Sequence, residues 1–415
     1  MEKDFEYKEE YSWLTNICLN VTDACNLACR YCFVEQHPHY MTLDTAKQAV
    51  HFILNNLEKK NKKFNKNEKA SVTYFGGEPT LMWDEIIVPL TDWVKENKYP
   101  IDFTITTNGT LLNEERIKYL KINHIFPLLS IDGDRYTQEY NRPCKDKKLS
   151  SFDLVNNNIS SLTKNFPDIT FRATIYADTV SNLFKNYMFA VKNNFNNVFF
   201  IPDERHCWSE ESKIILKQEV HKIFCFMHYC FVNDLEPINF PLINDSFRCM
   251  LERDLAIYNN SFPILNTNHS CLRCGLGTTF GAVGYDGSIY GCQEQPSKNL
   301  NNIFYIGDIF HGIDVNKHTK LLTEYTKKSQ NICENQQMCQ NCLLKKTCIN
   351  FGCPSSRYDL FQNFYTNTEI MCLWKQYLLD ECIILNNLLV KQNNQNFKTF
   401  LDNKCNFKSY LKGDK

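Results

Sequence analysis

The sequence predicts an α/β fold: an open, partial TIM-like (β/α)6 barrel, then a small cysteine-rich domain and a terminal helix. Three observations carry this. Short β-rich runs alternate with stretches of helical periodicity through the first half of the chain. From Cys271 to Cys372 the sequence is rich in cysteine, glycine and turns, and beyond it apolar residues return at helical spacing.

The β-rich runs are Ile17–Val21, Ser71–Phe75, Asp102–Thr106, Pro127–Ile131, Ile169–Ile175 and Asn197–Ile201. Between them lie segments such as Leu43–Leu57 and Glu114–Ile122, whose apolar residues recur with the period of a helix. Such alternation builds βα units on a parallel sheet, and six units fall short of the eight of a closed barrel. Lys59–Lys69, dense in lysine and asparagine and without periodicity, reads as a solvated loop before the second strand. From about Pro237 the pattern becomes irregular. The cysteine-rich stretch buries too little apolar surface to fold unaided, so metal is expected to staple it. Leu373–Gln392 carries Trp374, Leu378, Cys382, Leu385 and Leu389 at amphipathic spacing, a helix packed back on the body. The expected division is a barrel over 1–235, a linker and cysteine-rich domain over 236–375, and a C-terminal helix and tail over 376–415.

Composition narrows the function. With 43% hydrophobic and 22% charged residues in 415, the chain is globular. A net charge of -1 supplies no basic surface for nucleic acid or an anionic membrane, so neither is expected as a partner. The acidic start, Met1 to Glu6, has no export-signal character, and no apolar run reaches the length of about 18 residues that a membrane span needs. The expected location is the cytoplasm. There, twenty cysteines read as metal ligands rather than as a disulfide framework.

Directly after the first predicted strand stands Cys25-x3-Cys29-x2-Cys32. Three thiolates can bind three corners of a cubane cluster and leave the fourth iron open. The same spacing would place three small residues on one buried helical face. Its position at the C-terminal end of a strand, where barrels hold their active sites, favours the metal.

This triad, with Tyr31 before its last cysteine, resembles the signature of the radical S-adenosylmethionine (radical SAM) superfamily. The resemblance implies a 4Fe–4S cluster whose free iron is chelated by S-adenosylmethionine, and an electron transfer that cleaves the sulfonium to a 5'-deoxyadenosyl radical. It also implies a cofactor site at the strand ends. Gly76, Gly77, Glu78 and Pro79 look like the family's turn that receives the cofactor's ammonium group, and Asn108 lies in a third-strand ending similar to the family's. Ser130 and Arg142 have the spacing with which related maturases hold the cofactor carboxylate, a task suited to a guanidinium fork. A surface ion pair is the alternative for Arg142.

The later cysteines, Cys271-x2-Cys274, Gly287-x4-Cys292 and Cys339-x2-Cys342-x5-Cys348-x4-Cys353 followed by Cys372, resemble the SPASM domain of peptide and protein maturases. By that resemblance Cys271, Cys274, Cys292 and Cys353 hold one auxiliary 4Fe–4S cluster and Cys339, Cys342, Cys348 and Cys372 another, making three clusters in all. The Cys348 to Cys353 gap is one residue longer than usual, and Cys271 and Cys274 stand closer than in sulfatase-maturing relatives; Cys333 is near enough to substitute. Taken alone, the Cys-x2-Cys pairs would suit zinc.

Auxiliary clusters suit a two-electron oxidation of a substrate radical. Sulfatase maturases of this family carry an aspartate base after the cysteine of Gly-x4-Cys; here Gln293, a neutral amide, follows Cys292, with Glu294 next. The runs Cys32–Gln36 and Phe75–Leu81 look like maturases of cysteine-repeat peptides. The expectation is thioether crosslinking of a cysteine-rich ribosomal peptide, with flavodoxin or ferredoxin as electron donor. The alternatives are an anaerobic, formylglycine-generating sulfatase maturase and a noncatalytic metal scaffold. Asp203, Glu204, Arg205 and His206 follow the sixth strand, where substrate contact and a solvated loop both remain open; no residue is assigned as catalytic.

Overall fold

The computed structural model describes residues 6–258, 275–297, 302–329, 353–364 and 366–405. It forms two compact units, each assembled from separate stretches of chain. One comprises 1–130, 142–169 and 268–330, the other 131–141, 170–267 and 331–415. This division cuts across the sequential one expected from composition.

In the first unit, β1 (Asn16–Thr22), β2 (Ala70–Gly76), β3 (Ile101–Thr107) and β4 (Phe126–Ser130) pair in parallel and in that order. One face of these strands is fully apolar: Ile17, Leu19, Val72, Tyr74, Phe103 and Ile105 are buried. They pack beneath α1 (Leu43–Phe64), α2 (Val88–Glu96), α3 (Glu114–Ile122) and, after the short α4 (Arg135–Asn141) of the second unit, α5 (Ser151–Asn165). Tyr74 shows how a polar tip is accommodated there. Its ring stacks on Phe103 with centroids 5.2 Å apart, and its hydroxyl hydrogen-bonds Thr91 Oγ1 at 2.8 Å. The opposite face carries Thr73, Thr104, Thr106 and Ser130, half-buried, with Thr73 and Thr104 sharing a 2.8 Å hydrogen bond.

The loop expected over Lys59–Lys69 is mostly helix. α1 runs on to Phe64 and is closed by Asn65 in the left-handed conformation at φ 49°. Nothing in the lysine run breaks a helix, and Lys62 and Lys63 sit in its last turn, where cations favour the helix dipole.

In the second unit β5 (Thr170–Ile175) and β6 (Asn197–Pro202) pair in parallel, so every strand expected in the βα series is present. α6 (Leu183–Lys192), α7 (Glu210–Val232) and α8 (Pro241–Tyr258) follow. The last of these replaces the irregular segment expected after Pro237.

The stretch read as irregular also adds four strands to the first unit's sheet: β7 (Gly281–Val283), β8 (Ser288–Tyr290), β9 (Tyr305–Asp308) and β10 (Gly312–Ile313). β7 lies parallel to β1 and the others continue antiparallel, ahead of α9 (Val315–Ser329). The β7–β8 turn needs glycine at 287, where φ is +88° and a Cβ would meet the Phe310 ring at 2.8 Å.

The chain closes, in the second unit, with α10 (Pro354–Phe361), α11 (Glu369–Lys391) and α12 (Gln395–Lys404). α11 is the expected terminal helix, begun four residues early. Its Trp374 is completely buried, and nearby Phe397 packs on Phe231 and Phe247 with centroids 5.3 and 5.6 Å apart. No described helix is long and apolar enough to cross a membrane. Replacing Trp374 by alanine should cost about 3–5 kcal/mol by the usual price of emptying an aromatic site, measured as a lowered midpoint in urea denaturation.

Candidate functional site

The site begins where β1 ends. Thr22 Oγ1 donates to His39 O at 2.7 Å and accepts from Ala24 N, and Asp23, fully buried, pairs with His39 Nδ1 at 3.1 Å. The following loop carries the triad. It is clamped from outside by Ala28 N to Pro143 O at 2.8 Å and Lys145 N to Asn26 O at 3.0 Å.

From the β2 side the loop is held by backbone alone. Gly77 N donates to Thr22 O at 2.8 Å and Glu78 N to Ala24 O at 2.9 Å. The approach is so close that a Cβ on Gly76 would stand 2.2 Å from Thr22 O, and one on Gly77 2.2 Å from Ala24 O. The glycine pair admits the start of the triad loop at this close approach.

Glu78 is 1% exposed, and its carboxylate is fully engaged by the protein. Oε1 accepts from Thr80 N at 3.1 Å, from Thr107 Oγ1 at 2.7 Å and from Thr80 Oγ1 at 2.5 Å, and Oε2 accepts from Asn108 N at 2.8 Å. Burial raises its pKa, while these donors pull it back. Pro79 opens the short helical turn that follows.

Asn108 ties the end of β3 to the triad. Its Nδ2 donates to Asn26 Oδ1 at 2.9 Å and lies 3.9 Å from Cys25 Sγ, while Oδ1 accepts from Thr110 N at 2.9 Å. Arg142 is 7% exposed, with its guanidinium 5.3 Å from the centre of the Tyr31 ring, so the cation stands beside the triad loop. Ser130 closes β4, half-buried.

Within the triad Cys25 is half-buried, and burial first, then the charges of Glu78, Cys29 and Cys32, push its thiol up to about 12. Cys29 is half-buried and Cys32 exposed, joined by Cys32 N to Cys29 O at 3.2 Å, with Gln36 Nε2 3.8 Å from Cys32 Sγ. Among the described residues, no three His, Cys, Asp or Glu side chains converge on a single metal ion. The donor set fits a thiolate-bound cluster: three soft ligands in one loop, of which Cys25, its thiol pushed up, would need a cationic metal to lose its proton.

Residues 292–297 run along the inner face of β1. Cys18 Sγ donates to Gln293 Oε1 at 2.9 Å, Asn20 Nδ2 to Gln293 O at 3.4 Å, and Glu35 N, just past the triad, to Ser297 Oγ at 3.2 Å. Cys292 is half-buried at the head of this segment. In the second unit Cys353 precedes α10 and Cys372 lies in the first turn of α11, both half-buried. Cys271, Cys274, Cys339, Cys342 and Cys348, with Cys333, lie outside the described residues.

Residues 19–178 match the Radical SAM superfamily. This stretch is a radical SAM domain. The matched stretch contains the triad, Glu78, Asn108, Ser130 and Arg142, and a radical SAM domain implies a 4Fe–4S cluster, which Cys25, Cys29 and Cys32 would hold. Over 364 residues the enzyme is 26% identical to a cysteine-type anaerobic sulfatase-maturating enzyme of Clostridium novyi, covering 84% of this chain and 89% of that protein. It is 29% identical to the radical SAM cyclopropyl synthase TigE of Paramaledivibacter caminithermalis over 194 residues, 43% of this chain and 39% of that one. Among solved structures, native anSMEcpe with bound AdoMet superposes with a TM-score of 0.64 at 20% identity, covering 90% of this chain and 99% of that one. Streptococcus suis SuiB bound to its precursor peptide SuiA gives 0.53 at 15% identity, over 87% and 76%. At these identities the two structures establish the fold alone.

The motifs in the radical SAM domain were legible as sequence; the side chains that mount them were not. Asn26 and the Asp23–His39 pair have no motif spacing of their own, and only the structure places them. Because Glu78 accepts four donors, Glu78→Gln should turn an amide NH2 against at least one of them and cost about 1–3 kcal/mol, read from equilibrium denaturation.

Proposed function

We propose that this radical SAM enzyme oxidatively modifies a peptide, joining a cysteine sulfur to carbon by a thioether in a cysteine-rich ribosomal precursor. When bound, the cluster and S-adenosylmethionine supply a 5'-deoxyadenosyl radical for hydrogen abstraction. Asn108 and Asn26 hold the triad loop in register with β3, Arg142 keeps a fixed cation beside Tyr31, and Gly76, Gly77 and Pro79 set the turn beneath. The cysteines from Cys271 to Cys372 are read as a SPASM domain with two further clusters, and the reductant as a flavodoxin or ferredoxin in the cytoplasm.

One observation carries the choice of reaction. Gln293, directly after Cys292, is a neutral amide whose oxygen already accepts the Cys18 thiol, so it offers no base at the position where sulfatase maturases carry aspartate. A thiol, with a pKa near about 8.5, needs a weaker base than an alcohol. The second reading, sulfatase maturation, is supported by the 26% identity over 84% of the chain to the Clostridium novyi enzyme. A noncatalytic scaffold is set aside by the radical SAM match.

Protein purified without oxygen is expected to hold about twelve iron and twelve sulfide per chain, and the joint change of Cys25, Cys29 and Cys32 to alanine to remove about a third of them along with reductive cleavage of S-adenosylmethionine. With reductant and a cysteine-rich precursor, the product should be lighter by one pair of hydrogens per crosslink, its cysteines no longer alkylated. Formylglycine formed in a sulfatase-derived peptide, with cysteine-rich precursors left untouched, would instead establish the second reading.

A further inference from the structure

The second unit brings a cysteine, a histidine and a glutamate into line. His221 and Cys225 stand four residues apart on α7, so their side chains share one face of that helix. Cys225 Sγ lies 3.4 Å from His221 Nε2. The other ring nitrogen, Nδ1, meets the Glu381 carboxylate of α11 at 3.0 Å from each oxygen. Both helices belong to the same unit and pack on each other, so one helix pair sets all three groups.

Exposure changes along the line. The Glu381 side chain is 9% exposed and that of His221 57%, and Cys225 is exposed. The carboxylate end is therefore closed and the sulfur end open to solvent. Among the described residues, the hydrogen bonds of the Glu381 carboxylate go to this imidazole.

The separation of the two outer groups is that of metal ligands. A tetrahedral zinc ion holds a thiolate sulfur at about 2.3 Å and an imidazole nitrogen at about 2.0–2.1 Å, which sets the pair about 3.5 Å apart. Cys225 and His221 stand close to that distance in the folded protein. Metal-binding imidazoles characteristically present their second nitrogen to a carboxylate that fixes the ring, and Glu381 occupies that place. Burial first, then the Glu381 charge, raises the Cys225 thiol above its ordinary value, so a bound cation is what would draw its proton off. Among the described residues no third His, Cys, Asp or Glu completes a shell with them, which leaves the remaining positions to water.

We propose that Cys225 and His221 form a surface chelate for a thiophilic divalent cation of the zinc class, oriented by Glu381 and built from residues that the cluster sites do not use. The metal replaces the proton of the thiol, which passes to water, and binds Nε2, leaving Nδ1 to Glu381. No electron changes hands. The site does not depend on the peptide-modifying reading, and neither does its test.

The experiment takes the cluster-loaded enzyme without oxygen, adds zinc chloride, and reads iodoacetamide alkylation at Cys225 by peptide mass mapping. Rising zinc should abolish alkylation of Cys225. His221→Ala and His221→Gln should leave the thiol reactive at every zinc concentration that protects the wild type. The glutamine keeps a side chain able to meet Glu381, so its failure reports the lost nitrogen ligand rather than lost packing. Glu381→Gln should raise the zinc concentration for half protection about 10–100-fold. Because the readout is a single thiol, zinc taken up by other cysteines does not enter it. Equal alkylation of the wild type with and without zinc, protection that survives in both histidine variants, or an unmoved midpoint in Glu381→Gln overturns the proposal.

Discussion

Everything at the radical SAM site depends on one backbone contact. The turn after β2 lies so near the end of β1 that no side chain fits between them, and the carbonyls of Thr22 and Ala24 are held by the amides of Gly77 and Glu78. The triad loop departs from that contact, so its first cysteine is placed by two parallel strands rather than by its own conformational preference. Glu78 then carries the restraint to β3 through Thr107 and Asn108, and Asn108 returns it to the loop through Asn26. Three strand ends are thereby locked by hydrogen bonds that are buried and short, the preorganisation a cluster with one open iron requires.

That contact also explains how far the site was legible beforehand. Glycine pairs and cysteine spacings are visible because few residue types can do their work. The six βα strands were legible for a similar reason, since half-buried strands alternate and helices repeat near every fourth residue. Hydrogen-bond partners such as Asn26 and His39 have many substitutes at the level of sequence, so nothing marks them out. α1 beyond Leu57 was hidden because its last turns are polar on every side, and β7 to β10 because strands of two to four residues are too short to show a period.

The short strands nonetheless have a definite consequence. By adding β7 to the free edge of β1, the glycine-rich stretch brings residues 292–297 onto the inner face of β1 and up to Glu35 beside the triad. Cys18 lies beneath, its thiol pushed up to about 12 by burial, and it donates to Gln293 as a neutral group. Charge is absent from this contact on both sides. An aspartate in place of Gln293 would need its charge compensated there, and no described contact of Gln293 involves a cation.

The neutrality of Gln293 has to be set beside the charge distribution after β6. A hydrogen abstraction followed by oxidation releases one proton from the substrate, whichever bond is made, and some group of the protein must receive it. In the loop after β6, Glu204 and Arg205 are committed to Cys353, Thr368 and Asp359, and commit the backbone with them. Asp203, buried, is hydrogen-bonded to the imidazole of His206. The loop after β6 thus pairs its polar groups within its own unit, whereas the Gln293 contact keeps charge out altogether.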